Sequence, residues 1–506
     1  MTHWENSAES AVGLVRGTQD VLPLEFDKNH HLETSLLDSF ALAGYRRLRT
    51  PILERSELHE RKSGTRIVSK LDKTANDSVC LRPELTAGIV RAYAFADEAP
   101  PLPWRVSYAG PVFRRQEDGE GNLREFHQVG VELIGAARPS ADGEVIWLAD
   151  WALARVGITD AAIRVGHVGL IREILQRSGL PVSLQVSLVE VLADAATNET
   201  GAAPGEDRVA SALDRHLEHL TRSLPGSDAA EALPAGPSGG GAERLFASLY
   251  PNIVGRRSGD EIVGRLRRKW ELGQTLGQTL TDVRRRIHDL ADLNGPAAPV
   301  LERLERDFSA DAPDSLTALR GLVGTLRDHG VDLDRVQLDL GFGRGIGFYS
   351  QMMFVLLADT PGGPIEVCGG GRYDGLAREL GGNRDDRGVG FAFGLERLRD
   401  ALRLRGHEPV GHTRHSGVLI VPGDASSTAS AIALANKLRA LDIAAVLDAE
   451  ARPADAVSAA RALGLASAVL VKGHELIRVD VQTSTETPVT LDAILSSRGG
   501  PEGRSS

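Results

Sequence analysis

Residues 341–354 read GFGRGIGFYSQMMF, with four glycines around Arg344 and then Phe348 and Tyr349. Glycine lets a backbone approach a ligand closely, and a guanidinium fork can hold a carboxylate or a phosphate. The same letters also suit a glycine-rich β-turn carrying a surface arginine, and the segment alone leaves both readings open. A second stretch, EFHQVGVELIG (125–135), places Gln128 and Glu132 four residues apart. In a strand both side chains point to one face, two steps of period two apart. CGGGRYDGL (368–376) has the wrong spacing for a dinucleotide-binding glycine motif, and it suits a strand passing close to a ligand. His127 reads as a packing residue, because no Cys/His cluster in the chain has zinc-ligand spacing.

These residues need elements to carry them. PLEFDKNHHLETSLLDSFALAGY (23–45) has apolar residues at helical spacing and a stop at Gly44. RRLRTPILE (46–54) reads as one short strand interrupted by Pro51, suited to an edge. SVCLRPELTAGIVRAYA (78–94) reads as strand, turn and helix. WRVSYAGPVFR (104–114) and EFHQVGVELIG (125–135) are alternating strands joined by a polar loop, and 141–157 is an amphipathic helix. Residues 158–200 suggest a small strand-and-helix unit, 224–242 a Pro/Gly/Ser-rich linker, and 243–330 further helices. Strand signal returns from VQLDLGFGRG through PIEVCGGGRYDG to GVGFAFG. After a boundary near 407–416, strands SGVLIVPG, AAVLDA and SAVLVKG alternate with helices, predicting a small parallel α/β domain.

The 506 residues are 42% hydrophobic and 25% charged, a composition of soluble globular proteins of more than one domain. A formal net charge of -11 argues against broad electrostatic binding of nucleic acid, although a local basic groove remains compatible with it. Two cysteines, Cys80 and Cys368, cannot build a disulfide framework and point to a reducing cytoplasm. No apolar run approaches membrane-spanning length, so no membrane association is expected.

GPVFRRQ…REFHQVGVELIG resembles motif 2 of class II aminoacyl-tRNA synthetases, and GVGFAFGLERL resembles their motif 3 with Arg397. GTQDVLP, RTPILE and LRPELT resemble the histidyl-tRNA synthetase branch, in which RGIGFY occupies the place of a sequence like R-G-L-D-Y-Y. The resemblance implies an α/β (α+β) fold. Its core is a class II antiparallel sheet with flanking helices, and a small C-terminal α/β domain follows. The core would run over 1–200 and resume over 331–406, separated by a linker and helical insertion at 201–330, with an anticodon-binding-like domain at 416–500. It further implies that Arg114 and Arg397 suit the phosphates of ATP. Glu84, Thr86 and Gln128 would surround an α-amino group. Glu132 would accept an imidazole N–H, Tyr349 would meet the other ring nitrogen, and Arg344 would hold the carboxylate. Class II cores of this kind dimerise through the motif 1 region, here about 33–54.

Two functions share this fold. One is histidine–tRNA ligase, which uses ATP and Mg²⁺ and charges tRNA. The other is the non-catalytic regulatory subunit that binds the short-form catalytic subunit of ATP phosphoribosyltransferase and needs no cofactor or metal of its own. The departures favour the second: Gly347 stands for the expected Asp, Phe348 for the first tyrosine, Val355 for a glutamate, and Gln116 for the carboxylate of motif 2. Residues 416–506 carry 8 Lys+Arg against 10 Asp+Glu, a net of −2, which is a poor complement to phosphate. The expectation is therefore a cytoplasmic, histidine-binding regulatory protein, a homodimer within a hetero-oligomer, with Arg344 catalytic only in the ligase alternative.

Overall fold

The computed structural model describes residues 13–63, 69–70, 78–115, 123–136, 139–197, 276–341, 349–384, 387–407 and 415–496. Two compact units are present, one built on Leu32–Glu408 and the other on Pro409–Ser506.

With strands numbered along the chain, the larger unit holds a nine-stranded sheet. Its order is β1 (Arg46–Arg47), β5 (Trp104–Phe113), β6 (Glu125–Ile134), β12 (Gly388–Gly394), β11 (Ile365–Arg372), β10 (Met352–Ala358), β7 (Ala162–His167), β9 (Val336–Asp339) and β8 (Asn294–Pro296). The ladders from β5 to β7 are antiparallel, whereas β1 pairs β5 and β7 pairs β9 in parallel. The stretch 46–54 is not one strand. Arg46–Arg47 join the large sheet, while Leu53–Arg55 form β2 in a separate small sheet with β4 (Val79–Leu81) and β3 (Ser69–Lys70). Pro51, without an N–H to give a ladder, falls between the two pieces.

Alternation on β6 sorts the two faces of the sheet. Val129, Val131 and Leu133 turn toward a core that also holds Phe391, Phe393 and Phe354 and the helices α1 (Pro23–Leu42) and α4 (Ser140–Arg155). Phe40 of α1 meets Phe391 edge-on at 5.6 Å between centroids, an arrangement favoured by the ring quadrupoles. Gln128 and Glu132 turn to the opposite face. There α3 (Thr86–Ala94) lies over the β5–β6 region, with Leu85, Ile89, Val106 and Tyr108 in one apolar cluster, and the small helix α2 (Ser56–Ser63) packs against α3 and β2.

Helical residues 276–291 bury Leu280, Val283, Ile287 and Leu290 in the same main core, a helical spacing on one stripe. The following helices Ala297–Phe308 and Pro313–Asp328 add Leu304, Phe308, Leu319, Leu322 and Leu326 to it. Glu173, on α5 (Val168–Arg177), accepts from the N–H groups of Asp314 and Ser315 at 3.2 and 2.9 Å. A carboxylate from one helix thereby satisfies the open donors at the start of another.

The smaller unit is not purely parallel. β13 (His415–Pro422) pairs β14 (Ala445–Leu447) and β15 (Leu465–Lys472) in parallel, as strand–helix alternation predicts. β16 (Glu475–Asp480) and β17 (Glu486–Val489) then extend the sheet antiparallel. This added hairpin escapes the sequence pattern because its outer strand, ETPV, is short and almost wholly polar or proline on the exposed side.

Candidate functional site: a carboxyl cage on a glycine-lined sheet face

Glu132 lies on β6 between β5 and β12, 1% exposed. Thr86 Oγ1, at the first turn of α3, pairs with Oε1 at 2.7 Å, and Tyr373 Oη pairs with Oε2 at 2.6 Å. Tyr108 Oη stands 3.3 Å from Oε1 and equally far from the carbonyl of Phe391. Burial pushes the Glu132 carboxyl up to about 8; the three hydroxyls oppose that rise and the nearby charge of Glu84 adds to it. Near neutrality Glu132 therefore keeps its proton, so one oxygen donates where the other accepts.

Space for this cage comes from missing side chains. Gly390 lies across the ladder from Glu132, and a Cβ there would overlap Oε2. A Cβ on Gly388 would strike the Tyr373 ring, and one on Gly371 would come 2.7 Å from Tyr349 Cδ1. β11 and β12 thus present a floor of backbone on this face, over which Tyr349 and Tyr373 lie.

The other candidate residues fall around this cage to different degrees. Glu84 sits on the turn before α3, where its carboxylate accepts from the Ala87 N–H and from His59 Nδ1, the latter at 3.1 Å. Gln128 is two steps along the same face of β6, opposite Gly110 and Gly394. Arg114 donates from Nε to the carbonyl of Pro83 at 3.0 Å and lies 5.1 Å over the Phe126 ring, fixing its guanidinium beside the Glu84 turn. Arg397 is exposed at the start of the helix Leu395–Leu404. His127 is engaged by Glu396, which accepts its backbone N–H and whose hydrogen bond holds the imidazole above its ordinary range. Arg344, Gly347 and Phe348 lie outside the described residues.

Sequence reasoning missed three members of this arrangement. Tyr108 shares the alternation of β5 that puts Val106 on the site face. Tyr373 follows Gly371 by one strand period, a signal present in CGGGRYDGL. His59 carries no sequence signal, because its role depends on how α2 meets α3.

A central antiparallel sheet with one helix-packed face and one glycine-lined face, flanked by helices and followed by a small α/β unit, defines a class II aminoacyl-tRNA synthetase fold. The family model described as histidyl-tRNA synthetase matches residues 17–249 and 260–398. The chain belongs to the histidyl-tRNA synthetase family. It is 30% identical over 438 residues to a histidine–tRNA ligase of Archaeoglobus fulgidus, covering 86% of this chain and 85% of that one. A histidine–tRNA ligase of Halorhodospira halophila is likewise 30% identical, with 85% and 82% covered. Among solved structures, an ATP phosphoribosyltransferase regulatory subunit/histidyl-tRNA synthetase from Bacillus halodurans shares the fold at 22% identity and a TM-score of 0.61, over 91% of this chain and 98% of that one.

Proposed function

We propose that the chain binds histidine on the Glu132 face and acts as the non-catalytic regulatory subunit of a short-form ATP phosphoribosyltransferase in the cytoplasm. The observation that carries the histidine reading is the cage itself: one buried carboxyl, ringed by hydroxyls, beside strands whose glycines leave backbone on that face. A carboxyl of this kind reads a ring N–H by accepting and a bare ring nitrogen by donating. Tyr349 would meet the second nitrogen, Glu84, Thr86 and Gln128 the α-ammonium, and Arg344 the carboxylate. The regulatory half rests on the departures at Gly347, Phe348 and Val355. Val355 is buried on β10 beside Gly369, so an apolar side chain occupies the place where the ligase pattern has a carboxylate. Histidine would then act by differing affinity for two states of the assembly, a homodimer bound to the catalytic subunit.

A second reading, histidine–tRNA ligase, has its own support. Arg114 is held with its guanidinium face on an aromatic ring, and Arg397 is exposed, an arrangement suited to the phosphates of ATP. The two ligases that are 30% identical favour it as well. In that reading Mg²⁺ would enter with the nucleotide and neutralise phosphate charge, Arg114 and Arg397 would grip the phosphates, Arg344 would be catalytic, and tRNA would accept the histidine.

Histidine-dependent exchange between ATP and pyrophosphate separates the two. Histidine binding by calorimetry without exchange supports the regulatory role. Exchange followed by charging of tRNA overturns it in favour of the ligase. A chain that binds no histidine removes both.

A further inference from the structure

His59 is a buried polar side chain left half-used by the fold. It lies on α2 where that helix meets α3, with none of its side chain exposed. Nδ1 faces Glu84 Oε1 at 3.1 Å, while Nε2 is buried with no hydrogen-bond partner among the described residues. A carboxylate can only accept, so the hydrogen of the pair sits on Nδ1. A purely structural role makes this an expensive choice. An aromatic ring without nitrogen would fill the same space and would not strand Nε2 away from water.

Glu84 explains the choice. The Ala87 N–H approaches both of its oxygens, at 3.2 and 3.1 Å, and ties the carboxylate to the start of α3 from one side. His59 grips it from another. The charge of Glu84 acts on both Glu132 and Tyr108, so this carboxylate borders the cage.

We propose that His59 is a positioning residue that holds the Glu84 carboxylate as the acceptor for the α-ammonium of an amino-acid ligand. The proposal rests on the reading of the Glu132 face as a histidine pocket. It adds a residue whose effect should depend on the ligand's amino group and not on its ring.

The test is calorimetry on the full chain with histidine, with histidinol, which keeps the amine and lacks the carboxylate, and with imidazolepropionate, which lacks the amine. His59→Phe should weaken histidine and histidinol about tenfold or more, the scale of one hydrogen bond to a charged group. Imidazolepropionate should stay within about twofold of the unaltered chain, which also reports that the variant is folded. His59→Asn, with an amide donor in place of Nδ1–H, should recover most of the loss. In a Glu84→Gln background, His59→Phe should add little, because its partner charge is gone. Equal weakening of all three ligands, additive effects of the two substitutions, or unchanged histidine binding in His59→Phe would each overturn the proposal. If the unaltered chain binds none of the three ligands, the pocket reading itself falls and takes this proposal with it.

Discussion

Gly390 stands directly across the β6–β12 ladder from Glu132, with no room between the glycine and the carboxyl for even a methyl group. The backbone there needs no special conformation; the glycine is present for volume. Gly390→Ala should therefore push Glu132 off Tyr373 and cost about 1–3 kcal/mol of stability, the usual scale of overpacking. Histidine affinity should fall at least about tenfold in the same variant, since the displaced group is the proposed ring reader. Urea denaturation and calorimetry check the two effects separately.

Glu132 also predicts a pH dependence of stability. Its folded value, about 8, lies above the ordinary 4.5. Between those values the unfolded chain has released this proton and the folded chain still holds it, so stability falls as pH rises. The contribution is complete below about 4.5 and gone above about 8, with a slope of up to about 1.4 kcal/mol per pH unit in the window. Glu132→Gln should flatten that slope. Thermal unfolding of both proteins from pH 5 to 9 measures it, and parallel curves would contradict the assignment.

Tyr373 and Tyr108 should differ in their contribution to this cage. Tyr373 Oη is the closer, at 2.6 Å against 3.3 Å, and Tyr108 divides its reach between Glu132 and a backbone carbonyl. Tyr373→Phe should cost about 1–2 kcal/mol, and Tyr108→Phe about half that or less. Because the Tyr373 hydrogen bond holds Glu132 down, its removal should move the midpoint of the pH-stability profile upward. Denaturation at several pH values compares the two variants.

Part of this site could be read from the residues before any fold was known. Gln128 and Glu132 share a face by simple alternation, and β5 and β6 pair as their patterns predict. What alternation cannot supply is depth. The raised Glu132 carboxyl depends on α3 lying above it and on Gly388 and Gly390 clearing space from a strand far later in the chain. His59 is less legible still, since a helix of mostly polar residues gives no hint that one histidine turns inward. The hairpin β16–β17 was hidden for the opposite reason: its exposed polar residues look like a tail until they are seen paired.

Arg372 connects the site to the helix layer behind the sheet. It is fully buried on β11, donating from Nε to Asp142 on α4 at 2.7 Å and from Nη1 to Asp374 at 2.9 Å. Asp374 also accepts the N–H of Gly388, and its own N–H donates to Ser350 Oγ, beside Tyr349. Tyr349 and Tyr373 are thus each flanked by a residue of one hydrogen-bonded network. Asp142→Ala would leave the buried guanidinium with one carboxylate, Asp374, in place of two and should cost about 1–3 kcal/mol, whereas replacing Asp142 and Arg372 together with apolar residues should cost less than the single change. The single variant should also lose histidine affinity, because Arg372 and Asp374 flank Tyr373 in the chain. Urea denaturation of the single and double variants decides the point: if the double replacement is the less stable, Arg372 contributes through packing that an apolar side chain cannot copy, and the charge pairing is not what anchors the site.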